Sequence, residues 1–365
     1  MKKYFFIMLA VAAMTAVGQK KPKIGKAKSA LEKAEYAEAK TIIDAAIDFE
    51  KTKNDPKTWY YRGQIYMALD TAMQQEGAIE TAMEAYKKAL ELDPEQSKVS
   101  EFTGTGIANV DTKVQEYYAY YYNNGLASYE AEKFAEASTA FDKAFFITPS
   151  DTNAIINSAY AAMNADNIEK AASSFKKALD AGARERGIYL RLYNFALQAE
   201  DLESALEAIR MGKKEHPQDV DLMKFEVNLL IQLKKADEAI GELLKAIELE
   251  PDNADLYFSL GVLREELGEK DAAIESYKKA IAIDQDHFNS SFNLAVFTFN
   301  VANEMIKERN DLSYKEVKKS DELKAKIDAQ LTEALPLWER LYDLKPKDQT
   351  VLETLSYIYT FLKMD

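Results

Sequence analysis

A chain of 365 residues with a net charge of −14 and a pI near 4.9 has no basic stripe for a phosphate backbone, so no nucleic-acid partner is expected. The absence of cysteine excludes disulfides, a thiol nucleophile and a lipid-modified N-terminal cysteine. With 47% apolar and 30% charged residues but only 13 glycines and 8 prolines, the composition is that of a globular, helical protein with short connections, and no strand-like alternation bounded by turn residues is found.

The first predicted element is a leader. Lys2 and Lys3 precede an apolar run from Tyr4 to Val17, and the small residues Ala16, Val17 and Gly18 stand before Gln19. A bilayer span needs about 20 apolar residues, so this shorter run reads as a signal peptide over 1–18, and the mature protein is expected to be exported, periplasmic or secreted. The basic residues Lys20, Lys21, Lys23, Lys26 and Lys28 oppose translocation just after the cut. An uncleaved membrane anchor is therefore the alternative, and membrane contact is expected through this segment alone.

Beyond the leader the sequence repeats with a period of 34. Ala273 recurs as Ala239, Ala205, Ala171 and Ala137, while Tyr277 recurs as Leu243, Ile209, Phe175 and Phe141. Ala280 recurs as Ala246, Gly212, Ala178 and Ala144. The three positions lie one helical turn apart on a single face, and a period of this length signals stacked helix-turn-helix units. In chain order the blocks are 20–53, 56–96, 118–151, 152–185, 186–219, 220–253, 254–287 and 288–348. The second carries seven extra residues around 70–77, residues 95–117 form a linker holding Gly104 and Gly106, and the last carries an insertion over 304–330 that lengthens both its helices into an arm. Residues 349–363 form a capping helix. A small residue occupies the first position in all eight blocks, at 39, 82, 137, 171, 205, 239, 273 and 334, where two helices come closest.

The pattern resembles the tetratricopeptide repeat family. It is carried by Tyr257, Leu260, Gly261, Gly268, Ala273, Tyr277 and Ala280, and again by Trp59, Gly63, Tyr66, Ala82, Tyr86, Ala89 and Pro94. Prolines at 94, 149, 217, 251 and 346 close their blocks. The resemblance implies an all-α superhelical solenoid of about eight repeats plus a cap, over 19–365, of an exported bacterial type.

It also implies a protein-interaction scaffold that binds a peptide or protein segment on the concave surface formed by the first helices. Carried over block by block, the contact positions are Tyr60, Gln64 and Met67, then Tyr122, Leu126 and Tyr129, then Ile156, Tyr160 and Met163. Leu190, Asn194 and Leu197 follow, then Lys224, Asn228 and Gln232, then Phe258 and Glu265, and last Phe292, Val296 and Phe299. Core packing of several of these is the competing reading. Five tyrosines at 117, 118, 120, 121 and 122 cover every face of one helix, so some pack and some are exposed. A binding module for glycan or another envelope polymer on this tyrosine-rich face is the alternative function. Lys224 and Asn228 match the start of the family's carboxylate clamp for chaperone tails, but Ser259, Asn289 and Asn293 do not complete it.

Nothing points to an enzyme. His216 and His287 both fall in block-ending turns without a second ligand at metal spacing. Glu265 with Glu266 and Asp252 with Asp255 read as a solvated face, and Gly104-Thr105-Gly106 lacks the Lys-Ser/Thr of a phosphate loop. No catalytic, metal-binding or cofactor-binding residue is assigned.

Overall fold

The structure, a computed structural model, describes residues 21–103 and 106–363, the side chains of 102–107 apart. The leader expected at 1–18 lies outside the described residues. The chain divides into two compact units, one ending at Ala183 and the other beginning at Arg184. Each is a stack of helical hairpins.

In the first unit α1 (Ile24–Glu32) pairs with α2 (Tyr36–Ile47), α3 (Pro56–Met73) with α4 (Ala78–Leu92), α5 (Val110–Glu130) with α6 (Phe134–Ile147), and α7 (Thr152–Asn164) with α8 (Ile168–Asp180). A hairpin of two short antiparallel strands, β1 (Glu101–Thr103) and β2 (Gly106–Ala108), stands between α4 and α5. The second unit pairs α9 (Arg186–Gln198) with α10 (Leu202–Glu215), α11 (Val220–Gln232) with α12 (Ala236–Leu249), and α13 (Ala254–Glu266) with α14 (Lys270–Ile283). It ends with the long pair α15 (Phe288–Asn310) and α16 (Val317–Leu344), followed by α17 (Gln349–Leu362).

The alanines at 39, 82, 137, 171, 205, 239, 273 and 334 all have 0% of their surface exposed. Four residues on, Ile43, Tyr86, Phe141, Phe175, Ile209, Leu243, Tyr277 and Trp338 are each buried to within 1%. The facing first helix adapts to that side chain. A Cβ built on Gly63 would lie 2.4 Å from the Tyr86 ring, on Gly125 2.7 Å from Phe141 and on Gly261 2.5 Å from Tyr277. Where the partner is Leu243, the equivalent frame position holds the larger Val227. In these four pairs the facing residue shrinks as its partner grows, which is what close packing requires, whereas the block of Ile209 carries Tyr193 at the same frame position.

The frame also sets the helix ends. Asp151, Asp219, Asn253 and His287, at multiples of 34 from one another, each accept a backbone N–H with the side chain and so cap α7, α11, α13 and α15. His287 does this with Nδ1, which accepts from the Ser290 N–H at 3.2 Å, while Nε2 lies 3.1 Å from Asp255. Five successive hairpin turns place a left-handed residue at one frame position: Glu132, Asp166, Glu200 and Lys234 take φ of 56–59°, and Gly268 stands at the same place with φ of 78°.

Two departures from the sequence expectation concern the linker at 95–117. Helix α5 begins at Val110, inside it, because Asn109 and Thr112 form a capping box with reciprocal bonds of 2.9 and 2.7 Å. The preceding residues form the strand hairpin, fastened by Glu101, whose carboxylate accepts from Lys28 Nζ at 3.2 Å and from the Tyr61 hydroxyl. The insertion at 304–330 is taken up by α15 and α16, which run to 23 and 28 residues around buried Ala302, Leu323, Ile327 and Leu331.

In the second unit one buried carboxylate organises three helices. Glu226 on α11, 2% exposed, accepts from Arg210 Nε at 2.7 Å and from Lys213 Nζ, both on α10. Lys213 also donates to Glu242 on α12, which takes a further bond from Lys245 at 2.8 Å. Burial opposes the charge of Glu242, yet the bonds from Lys213 and Lys245 outweigh it and hold this carboxyl below its ordinary value.

Two outcomes follow. Gly261→Ala is expected to destabilise the second unit by about 1–3 kcal/mol, and adding Tyr277→Leu to recover part of the loss, as read by thermal unfolding of the single and double variants. Because the folded value of Glu242 is depressed, its contribution is present above the ordinary carboxylate value of about 4.3 and is lost as pH falls through the folded value. Glu242→Gln should therefore flatten the decline of the thermal midpoint from about pH 5 downward, relative to the parent protein.

Candidate interaction surface

In the first unit, the face formed by α3, α5 and α7 sorts the expected contact residues by burial. Tyr60 is 1% exposed and Met67 0%, so both belong to the core and are withdrawn from the site. The reason is local: Tyr60 packs edge-on against Tyr61 at 5.3 Å and tilts at 6.5 Å toward Tyr86, the ring that fills the space beside Gly63. Gln64 remains half-buried. Leu126, Tyr129 and Tyr160 are exposed, at 42%, 37% and 36%, with Ile156 and Met163 half-buried beside them.

These aromatic side chains are held, not loose. The Tyr122 hydroxyl accepts from Asn157 Nδ2 at 3.0 Å, and the Tyr129 hydroxyl from Asn164 Nδ2 at 2.5 Å, so each ring on α5 is tied to α7 one repeat on. Tyr122 stacks on Tyr118 and meets Phe141 edge-on, both at 5.5 Å; Tyr129 meets Phe134 at 5.2 Å and Tyr160 meets Phe175 at 5.3 Å. The five-tyrosine run resolves in the same way. Tyr121 is buried, Tyr117, Tyr118 and Tyr122 are half-buried, and Tyr120 alone of the five is exposed. Burial, reinforced by the Glu116 carboxylate, pushes the Tyr117 hydroxyl up to about 12, so it stays neutral at physiological pH.

In the second unit the corresponding face is polar at first. Leu190 and Leu197 are half-buried while Asn194, Asn228 and Gln232 are exposed. Lys224 is half-buried with Nζ 3.9 Å from the Glu250 carboxylate, and no clamp is assembled around it. Further along it turns aromatic. Phe258 lies against Tyr277 at 6.1 Å and His287 at 5.5 Å. Glu265 is exposed and accepts from the Tyr277 hydroxyl at 2.8 Å. Phe292 and Phe299 flank Trp338 at 5.7 and 6.0 Å, and Phe299 reaches Tyr357 of α17 at 5.7 Å, so both phenylalanines are half-buried within a cluster, as is Val296.

Family models agree with this geometry. One described as TPR repeat matches residues 228–268, and two described as tetratricopeptide repeat match 254–287 and 56–96. The chain is a tetratricopeptide-repeat protein. Repeats of this family are protein-interaction modules, so the chain is a protein–protein interaction scaffold. Among solved structures it is similar to the MamA protein, 20% identical over 47% of this chain and 93% of that one with a TM-score of 0.37. It is also similar to YrrB, titled a TPR protein with an unusual peptide-binding site, 21% identical over 57% of this chain and 97% of that one with a TM-score of 0.36. No curated protein matches it.

The tetratricopeptide frame did not lead to one polar cluster. Asp70, near the end of α3, is 5% exposed; its carboxylate accepts from the Tyr121 hydroxyl and from Lys143 Nζ at 2.9 and 3.2 Å. It faces a cleft of about 560 Å³ walled by α3, α5 and α6. The signal that pointed there was the seven-residue excess at 70–77, which lengthens α3 to 18 residues against 13 in α7, α9, α11 and α13. Among the described residues no group of three or more His, Asp or Glu side chains is placed to hold a metal ion. Replacing Lys143 by Met leaves the buried carboxylate with its tyrosine partner only. It is expected to destabilise the first unit by about 1.5–3 kcal/mol, whereas Asn164→Ala at the surface should stay within about 0.5 kcal/mol, both read by hydrogen exchange of α3 and α5.

Proposed function

We propose that the protein binds an extended peptide or protein segment along the first-helix face, the concave side in this family's geometry, with the contact centred on Leu126, Tyr129 and Tyr160. The observation that carries this reading is the exposure of three large apolar side chains on the neighbouring helices α5 and α7. Grouped apolar exposure marks interaction surfaces, and aromatic residues are enriched in interface cores. The asparagine ties from Asn157 and Asn164 support it further, because rings already fixed lose little conformational entropy on binding.

Half-buried Ile156, Met163 and Tyr122 extend the same strip, and Met suits a surface that adapts to its ligand. On the second unit Phe258, Phe292 and Phe299 are half-buried and already in ring contact with Tyr277, Trp338 and Tyr357. They are contact positions of the second unit by itself, where Asn194, Asn228 and Lys224 offer hydrogen-bonding groups to a peptide main chain. The leader expected over 1–18 supports reading this as the activity of an exported protein.

Selection of peptides from a random display library against the full-length chain tests the proposal. Enriched peptides are expected to carry apolar or aromatic anchors, and Leu126→Ala with Tyr160→Ala should weaken them at least tenfold without moving the thermal midpoint. Ala205→Leu should do the reverse, lowering the midpoint through overpacking of about 1–3 kcal/mol while leaving affinity unchanged. Failure to enrich any peptide, or affinity indifferent to Leu126, Tyr129 and Tyr160, would remove the basis for this reading.

A further inference from the structure

The cleft of about 560 Å³ in the first unit lies outside the strip assigned to peptide, and its volume falls within the range usual for small-molecule sites. Three helices supply its walls. The extended end of α3 brings Asp70 and Gln74, α5 presents Tyr120, Asn124 and Ser128 one turn apart, and α6 contributes Lys143 together with small side chains at Ala135, Thr139 and Ala140. The small residues on α6 are what leave the space open opposite Tyr120.

Charge in this cleft is already compensated. Lys143 answers Asp70 at 2.9 Å, and Glu136 pairs with Lys133 at 3.5 Å. No uncompensated ion remains to recruit a charged ligand. What remains are the carboxamides of Gln74 and Asn124 and the hydroxyls of Ser128 and Tyr120, none of which bonds another described residue. The Tyr120 ring is 43% exposed and braced edge-on by Tyr121 at 5.1 Å.

We infer that this cleft binds a neutral saccharide ring. A carboxamide offers donor and acceptor side by side, which is the pattern needed by adjacent hydroxyls, and a braced aromatic ring offers a flat apolar surface to the C–H face of a sugar. An extended peptide is the poorer fit, because the cleft is walled on one side by the second helix α6 and so lies off the run of first helices to which the peptide is assigned. The seven-residue excess at 70–77 thus supplies a second binding function, separate from the peptide strip.

Titration calorimetry of the full-length chain with chitotriose, maltotriose and xylotriose tests the inference. At least one is expected to bind saturably at one site per chain. Tyr120→Ala and Asn124→Ala, both at exposed positions, should each weaken it at least tenfold with no change in thermal midpoint, and Leu126→Ala should leave it unchanged. Binding of none of the three, or binding that survives Tyr120→Ala, or binding lost with Leu126→Ala instead, overturns the assignment, and none of these results bears on the peptide strip.

Discussion

The structure depends on a steric constraint repeated every 34 residues: two helices approach so closely that only a Cβ fits between them. Eight alanines satisfy it with no exposed surface at all. Each such contact fixes the spacing within its hairpin, and the bulky residue one turn later then packs against the facing helix, where a glycine makes room for Tyr86, Phe141 and Tyr277. Local contacts of this kind are additive along the chain, so a unit built from them has no single centre whose loss would dissolve it.

Because the repeat supplies stability by itself, departures from it are free to carry function. Seven extra residues lengthen α3 and open a cleft against α5 and α6. An early capping box draws α5 back to Val110, leaving room for the strand hairpin that Glu101 fastens to Lys28 and Tyr61. In the second unit the lengthened α15 and α16 carry an apolar seam of Ala302, Leu323, Ile327 and Leu331. In each case the frame resumes afterwards, because the alanine contact can restart wherever two helices meet again.

The negative charge of the chain is not concentrated where the polar chemistry is. Glu226, Glu242 and Asp70, buried or nearly so, are each matched by lysine or arginine from a neighbouring helix, while buried Asp93 accepts instead from the Ser97 hydroxyl and the Lys98 N–H. A carboxylate withdrawn from water without such a partner destabilises strongly, whereas a matched one ties its helices in one register. The exposed acids contribute solvation and repulsion between copies rather than fold.

The repeat, its helix pairs and the identity of the core alanines were all legible in the sequence, because each rests on local spacing and on the size of one side chain. Half-exposed residues were not. Tyr60 and Leu126 both stand on first helices at expected contact positions, yet one is sealed among Tyr61 and Tyr86 and the other open. Likewise, five tyrosines within six residues gave no sign that Tyr120 alone would face outward. The sequence by itself determined the period, the class of fold and where helices must touch. Only the tertiary structure decided which faces of those helices stayed uncovered and where the cleft lay, since exposure depends on what residues distant in the chain place opposite each side chain.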